Sequence, residues 1–121
     1  MNKIATSIEQ GEELLNMGLQ PGTADMAWCH MGYCNRLLPV NDMDIDGWEK
    51  TPAWSLTALM NLLPTGTLFL SNYTTVRSEF HGCRTIHDYS REGVATSIID
   101  SVFDLVRQLL SEGYIQKKGK E

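Results

Sequence analysis

The sequence is short of positive charge, of cysteine and of long apolar runs, and each shortage excludes a class of protein. Ten Lys and Arg against fifteen Asp and Glu give a formal net charge of −5. This balance argues against nucleic-acid binding, because that function needs Lys and Arg to neutralise phosphates. The three cysteines are too few, and odd in number, for a small disulfide-rich secreted scaffold. No stretch approaches the ~20 apolar residues that span a bilayer.

Residues 1–7 contain no apolar run of signal-peptide length. With the low cysteine content, this predicts a cytoplasmic protein whose thiols are reduced, with no membrane contact and no cofactor. The length of 121 residues, with 42% hydrophobic and 21% charged residues, is typical of one globular domain. We expect that domain to cover residues 1–121, with residues 116–121 as a flexible tail.

Three segments have the periodicity and the end signals of helices. Residues 6–17 begin with a capping-box pattern in which Thr6 and Glu9 satisfy each other's amides. Residues 52–63 follow Thr51 as a cap and place a proline at the first helical position, and a second proline stops the helix.

The third helical segment, residues 92–112, is the longest. Its apolar residues recur at helical spacing in a wide stripe, which predicts deep packing against a sheet. Ser90 is the predicted cap, Glu92 complements the helix dipole, and Gly113 closes the helix.

Several short segments predict strands, and residues 73–76 and 84–89 do so most clearly because they are rich in Thr, Tyr, Val and Ile. The segments are residues 26–31, 37–40, 68–70, 73–76 and 84–89. The last two are predicted arms of a hairpin around Gly82, although pairing with residues 26–31 is the alternative. The order of elements predicts an α+β domain, with three helices packed on a small antiparallel sheet.

The acidic residues Asp42, Asp44 and Asp46, followed by Gly47, match the first half of an EF-hand calcium loop. The second half does not match, because Ala53 stands where a bidentate Glu is needed. Three carboxylates are also too few for Ca²⁺, which takes six to eight oxygens. We interpret the segment as an acidic turn and keep a weak cation site as the alternative.

The cysteines and histidines could in principle supply a zinc site or a Cys/His nucleophile. The set consists of Cys29, His30, Cys34, His81, Cys83 and His87. No Cys-x-x-Cys occurs, and in a strand Cys29 and His30 would point to opposite faces. Buried or incidental thiols are the favoured interpretation.

No catalytic residue is predicted. The sequence lacks a Gly-x-Ser-x-Gly elbow and any phosphate-binding glycine loop. Convergence of Asp25, Asp88 and Asp100 in space stays open. Among the tryptophans, Trp28 and Trp54 are predicted core residues. Trp48 in the acidic loop either covers the start of the second helix or belongs to an exposed contact patch.

Three blocks of the sequence carry a resemblance to a known family. They are Thr6-Ser7-Ile8-Glu9-Gln10, Thr23-Ala24-Asp25-Met26 and Pro52-Ala53-Trp54-Ser55-Leu56. In this combination the chain resembles a family of small uncharacterised proteins of anaerobic gut bacteria and of their phages and mobile elements. The resemblance implies an intracellular accessory protein and carries over no catalytic residue.

Two functions follow as hypotheses. The favoured one is a non-enzymatic interaction module that binds an unknown protein partner or forms a homo-oligomer. It requires a contiguous apolar surface patch. The alternative is a small-ligand or divalent-cation-binding protein that uses the Asp42–Asp44–Asp46 loop or the Cys/His set. It requires side chains that converge in a concave site.

Overall fold

The computed structural model describes residues 3–42, 47–72, 74–89 and 94–115. In chain order the elements are α1 (Ile8–Asn16), a 3₁₀ turn (Pro21–Thr23), β1 (Met26–His30), β2 (Asn35–Pro39), β3 (Glu49–Ala53), α2 (Leu56–Leu62), β4 (Leu68–Ser71), β5 (Thr75–Phe80), β6 (Cys83–Asp88) and α3 (Val94–Glu112). The predicted α+β class is confirmed. Among these described residues no helix is both long and apolar enough to cross a membrane.

The strands form two antiparallel sheets of three strands each. The N-terminal sheet has the order β2-β1-β3, and the C-terminal sheet has the order β4-β5-β6. The predicted hairpin around Gly82 is confirmed, because β5 pairs with β6 and β1 pairs with β2 and β3 instead. Its two-residue turn has φ of 48° at His81 and 86° at Gly82. These are the left-handed values of a type I′ turn, whose twist matches that of the strands.

The capping box of α1 lies one residue later than predicted. Ser7 is the N-cap: the Gln10 N–H donates to Ser7 Oγ (3.1 Å), and the Ser7 N–H donates to Gln10 Oε1 (2.9 Å). The assignment of Thr6 and Glu9 was therefore wrong. The hydroxyl of Thr6 is occupied elsewhere, because it accepts the N–H of Trp54 (3.0 Å) in the interior. A residue distant in sequence thus decides which of two adjacent hydroxyls caps the helix.

The start of α2 was also predicted wrongly. Residues 49–53 form β3, so Thr51 and Pro52 lie in a strand rather than at a helix N-terminus. The N-cap is Ser55, whose Oγ accepts the N–H of Ala58 (3.2 Å). Pro52 is tolerated because β3 is an edge strand. The predicted stop before the second proline is correct, since Leu63 is the C-cap of α2.

The helix α3 ends as predicted. The N–H of Gly113 donates to Leu110 O (3.3 Å) and the N–H of Tyr114 donates to Leu109 O (2.9 Å), which is the bonding of a Schellman ending. Ser90 and Glu92, the predicted start of this helix, lie outside the described residues.

The main core lies where α3 contacts β5, β6 and α2. Trp54 is its largest fully buried side chain, and α3 supplies the greatest share of the apolar residues. These are Ile99, Val102, Phe103, Leu105, Val106, Leu109 and Leu110. The helix α1 joins through Leu14 and lies close to β3: a Cβ at Gly11 would be 2.3 Å from the carbonyl oxygen of Pro52.

Candidate interaction surface

The edge strand β4 exposes three large apolar residues at consecutive positions. All four of its residues are exposed, with Leu68 58%, Phe69 41% and Leu70 57% accessible to solvent. Within the described part of the chain, β5 is its one strand partner. Large apolar side chains exposed together on adjacent positions mark a contact site more often than isolated ones do.

The side chains of β4 divide between the two faces of the C-terminal sheet. Phe69 is opposite Ser78, which is fully buried against α3, so Phe69 belongs to the inner face. Leu68 and Leu70 alternate with it and belong to the outer face. On that face Leu70 is opposite Arg77, and Arg77 is opposite Ile86. The two leucines therefore line one margin of an outer face that continues to β6.

An apolar groove runs under this edge, between β4 and the helices. Its volume is about 210 Å³, and its lining comes from α2 (Met60), α3 (Ile98 and Val102) and the sheet (Phe69, Leu70, Ser71 and Val76). The walls are mainly apolar, and Ser71 is the polar residue among them. Such a groove can hold the side chain of a polypeptide that lies along β4.

The backbone of β4 presents unused hydrogen-bonding groups along the same edge. The Asn72 N–H donates to Thr75 O (3.0 Å), so Asn72 and Thr75 form a hydrogen-bonded pair at the end of the β4–β5 ladder. Because antiparallel pairs alternate, Leu68 and Leu70 bond to β5. The N–H and C=O groups of Phe69 and Ser71 consequently point away from the sheet, towards the side on which no described strand lies.

The other sheet edges in the described ranges carry residues that hinder pairing with another chain. These residues are Arg36 and Pro39 in β2, Glu49, Lys50 and Pro52 in β3, and Arg84 and Asp88 in β6. The side-chain amide of Gln108 also covers the β6 edge by donating to the Arg84 carbonyl (3.2 Å). The strand β4 contains neither a charge nor a proline. It is therefore the edge that can most readily accept a strand.

A cavity of about 290 Å³ opens on the outer face of the β4 edge, beside Leu70, Arg77 and Ile86. Two larger cavities lie elsewhere. One, of about 380 Å³, is lined by residues that include Thr23, Asn61 and Tyr114. The other, of about 390 Å³, crosses the N-terminal sheet beside Val40 and Lys50. Lys50 is the one charged residue in the two linings. Neither cavity brings together the nucleophile, base and stabilising donors that a catalytic site needs.

A triplet of polar residues on the N-terminal sheet has the hydrogen-bond order of a catalytic triad. The Nε2 of His30 lies 2.8 Å from Thr51 Oγ1, and its Nδ1 lies 2.9 Å from Asn35 Oδ1. The sequence does not predict this set, because His30, Asn35 and Thr51 come together only through the pairing of β1 with β2 and β3. The Thr51 residue is 7% exposed, and none of the three lines the cavities described above. The triplet links three neighbouring strands rather than facing a substrate site.

The acids considered as catalytic candidates are held by different partners. Asp25 accepts the backbone N–H of Ser55 (3.0 Å) and its hydroxyl, which fixes the start of α2. Asp100 accepts from the Lys3 ammonium (2.7 Å) and the Gln10 amide (3.0 Å). Asp88 offers its main-chain carbonyl to Ser97 (2.9 Å). These contacts assign a capping role to the Asp25 carboxylate and a tethering role to the Asp100 carboxylate.

The predicted cation loop cannot be placed, because Asp44 and Asp46 lie outside the described residues and Asp42 alone is described. Within the described ranges no three His, Cys, Asp or Glu side chains gather as a metal site requires. Cys29 is buried, Cys34 is exposed and Cys83 is half-buried, and all three are free thiols. The cysteines and histidines of the sequence are thus dispersed over both sheets.

The tryptophans act mainly as structural anchors. Trp54 is fully buried, as predicted, and its indole N–H donates to Thr23 Oγ1 (2.9 Å). Trp28 is only half-buried, and its indole N–H donates to the Thr6 carbonyl (3.0 Å). Trp48 is 43% exposed. It directly precedes β3 in the N-terminal sheet, whereas β4 belongs to the C-terminal sheet.

A charged network joins α1, α3 and β6. Arg107 bonds to Glu13 (3.0 Å) and Asp104 (3.1 Å), and Asp104 accepts from His87 (2.7 Å). The hydrogen bond to Glu13 and the nearby carboxylate charges raise the pKa of Arg107, and burial opposes the shift. Since the Arg107 side chain is 42% exposed, solvent screens these ion pairs and they contribute modestly to stability.

No protein-family model, curated protein or solved structure matches the chain. Among the described residues, β4 with its groove is the feature whose geometry fits a binding role.

Proposed function

We propose that the protein is a non-enzymatic interaction module that binds another polypeptide by adding a strand to β4. The observation that carries this proposal is the contrast at the sheet edges. The edge formed by β4 is exposed, apolar and free of charge and proline, whereas the other described edges are protected. Strand addition to an exposed edge is a recurrent mode of peptide recognition.

The backbone of β4 would supply affinity. Phe69 and Ser71 each direct one N–H and one C=O at the open edge, so an antiparallel strand can form up to four hydrogen bonds with them. These bonds depend little on the partner's sequence. They align the partner and fix its register.

The two faces of β4 would supply specificity. Alternate side chains of an added strand point to opposite faces. Those on the outer face meet Leu68 and Leu70, and those on the inner face meet the groove under Phe69. The side chains next to the added strand are apolar on both faces, and Arg77 and Glu79, one strand further in, are paired with each other. The preferred partner therefore has apolar residues on both faces and little charge within the paired segment.

Selection from a display library of random extended peptides tests this proposal. We expect peptides that bind the wild-type protein and lose binding to Leu70→Lys, because a lysine on the outer face of an edge strand opposes pairing. Ile86→Lys is the matched control, since Ile86 is on the same face with 59% exposure against 57% for Leu70. Bound peptide should slow hydrogen exchange at the amides of Phe69 and Ser71.

With the protein kept dilute enough to be monomeric, the proposal is wrong if the selection yields no peptide, or if the peptides it yields bind Leu70→Lys and wild type equally. Unchanged exchange at both β4 amides in the presence of a bound peptide would also contradict it, because the peptide would then occupy another surface.

We further propose that the protein acts in the cytoplasm as an accessory protein, as the sequence resemblance implies. The three free cysteines, one of them exposed, support this location, since an oxidising compartment favours disulfides. Alkylation in denaturant at the moment of cell lysis should label all three thiols, because unfolding exposes the buried Cys29 as well. A disulfide-linked product through Cys34 would contradict the cytoplasmic assignment.

A further inference from the structure

We infer that the strand received at β4 is the β4 of a second copy of this chain. Two copies would then join their C-terminal sheets into one six-stranded antiparallel sheet. The inference rests on the proposed function, because it takes β4 as the accepting edge and adds the identity of its occupant. Three features of β4 support it: the hydrogen-bonding pattern of its backbone, its apolar side chains and its lack of charge.

The outward backbone groups of β4 are complementary to themselves. A two-fold axis through Leu70 places Phe69 of each copy opposite Ser71 of the other. In this register each outward N–H meets an outward C=O, which gives four hydrogen bonds across the axis. No outward backbone group of Phe69 or Ser71 is left unpaired. The four residues of β4 are thus long enough for the outward N–H and C=O groups of two copies to pair with each other.

The side chains of the same register bring apolar groups together. Leu70 lies opposite Leu70 of the second copy in a non-hydrogen-bonded pair, which is the closer of the two antiparallel pairings. Leu68 is beside it on the outer face, and Phe69 of each copy lies on the inner face next to the groove. Leu68, Phe69 and Leu70 are all exposed to solvent in the monomer. Pairing of two copies would therefore remove apolar surface from water, which is favourable.

Charge favours a copy of this chain over a charged peptide. The strand β4 has no charged residue, and the nearest charges on its outer face, Arg77 and Glu79, are paired with each other at 2.7 Å. The edge therefore attracts no charged segment, and it places no like charges in contact when two copies meet. The net charge of −5 on each copy acts at longer range, where salt screens it.

Sedimentation velocity over a concentration series tests the inference. We expect wild type and Ile86→Lys to show the same monomer–dimer equilibrium. Leu70→Lys should raise the dissociation constant at least about tenfold, because the two lysines would face each other across the axis. Added salt should strengthen the wild-type dimer, since it screens the repulsion between the copies.

A cysteine variant tests the register. In a Cys34→Ser background, Leu70→Cys should form an intermolecular disulfide on oxidation, because the axis brings the two Cβ atoms into bonding range. Ile86→Cys in the same background should not. If Leu70→Lys fails to fold by circular dichroism, Ser71→Pro replaces it, since the Ser71 N–H points outward and away from β5, its neighbour among the described strands.

A wild-type protein that stays monomeric throughout the series overturns the inference, as does a dimer that is indifferent to both Leu70→Lys and Ser71→Pro. If the monomer still binds library peptides in a Leu70-dependent way, the second copy is wrong and strand addition at β4 stands. If it binds none, the proposed function is wrong as well.

Discussion

The two sheets have the same number of strands and treat their edges differently. In the N-terminal sheet both edge strands contain a proline and at least one charge. In the C-terminal sheet β6 is charged and partly covered by Gln108, whereas β4 is bare. Three of the four described sheet edges carry residues that hinder pairing, and β4 does not. This contrast is expected if β4 pairs with a strand of another chain.

The sheets also differ in how they are attached to the rest of the fold. The N-terminal sheet meets α1 by a close backbone approach at Gly11. The C-terminal sheet meets α3 through buried hydroxyls, in which Ser101 Oγ lies 3.2 Å from Ser78 Oγ and 2.9 Å from Thr85 Oγ1. The contact between α1 and the N-terminal sheet leaves no room for a larger side chain at Gly11. The contact between α3 and the C-terminal sheet instead depends on hydrogen bonds between buried hydroxyls.

The largest effect should come from breaking the attachment of the N-terminal sheet. Gly11→Ala would place a Cβ 2.3 Å from the Pro52 carbonyl oxygen, a backbone atom that cannot swing aside. We expect a loss of about 3 kcal/mol, the upper end for overpacking, despite the better helix propensity of alanine. Urea unfolding measures it. Gly22→Ala is the control, since no atom lies within 4 Å of its added Cβ.

If Gly11→Ala and Gly22→Ala unfold at the same urea concentration, α1 does not pack on β3 as described. A stable Gly11→Ala variant would then point to a different position for α1.

A smaller loss should follow from breaking the attachment of the C-terminal sheet. Ser101→Ala leaves the buried hydroxyl of Ser78 without its partner, while Thr85 keeps its bond to the Ser101 carbonyl (2.9 Å). We expect a loss of about 1–2 kcal/mol. Thermal unfolding measures it, with the exposed Ser111→Ala on the same helix as the control.

The double variant Ser78→Ala with Ser101→Ala should lose less than the sum of the single variants, because it removes both partners together. Strict additivity would show that the two hydroxyls do not interact.

The smallest effect should come from removing the protection of the N-terminal sheet. Arg36→Val combined with Pro39→Val restores a backbone donor and deletes a charge at the β2 edge. In a Leu70→Lys background, where β4 is blocked, we expect weak new association in sedimentation velocity. If the variant remains as monomeric as its background, edge protection is not what separates the two sheets.

The sequence predicted the helix ends and the hairpin well where local chemistry decides them. Gly113 closes α3, and Gly82 supports the turn between β5 and β6. Prediction failed where a distant partner decides. Thr51 and Pro52 have the form of a helix start, yet pairing with β1 makes them a strand. Strand formation depends on such cross-strand neighbours more than on intrinsic preference.

The interaction surface could be predicted only in part. The strand at residues 68–70 was recognised from its composition, and the structure places β4 there. Its exposure was not predictable, since Leu-Phe-Leu reads equally well as a buried strand. Only the sheet order shows that β4 is an edge, and only the helices above it create the groove.

The position of α3 after the other described elements has a consequence for synthesis on the ribosome. The Lys3 ammonium pairs with Asp100, 97 residues later, and Leu14 shares its core with Leu105 and Leu109. At about 5–20 residues per second, roughly 5–20 seconds separate the emergence of the two sides. The apolar face of α1 is exposed throughout that interval, and the edge of β4 is exposed with it only for roughly the last third, after Ser71 has emerged. We therefore expect folding to wait for α3.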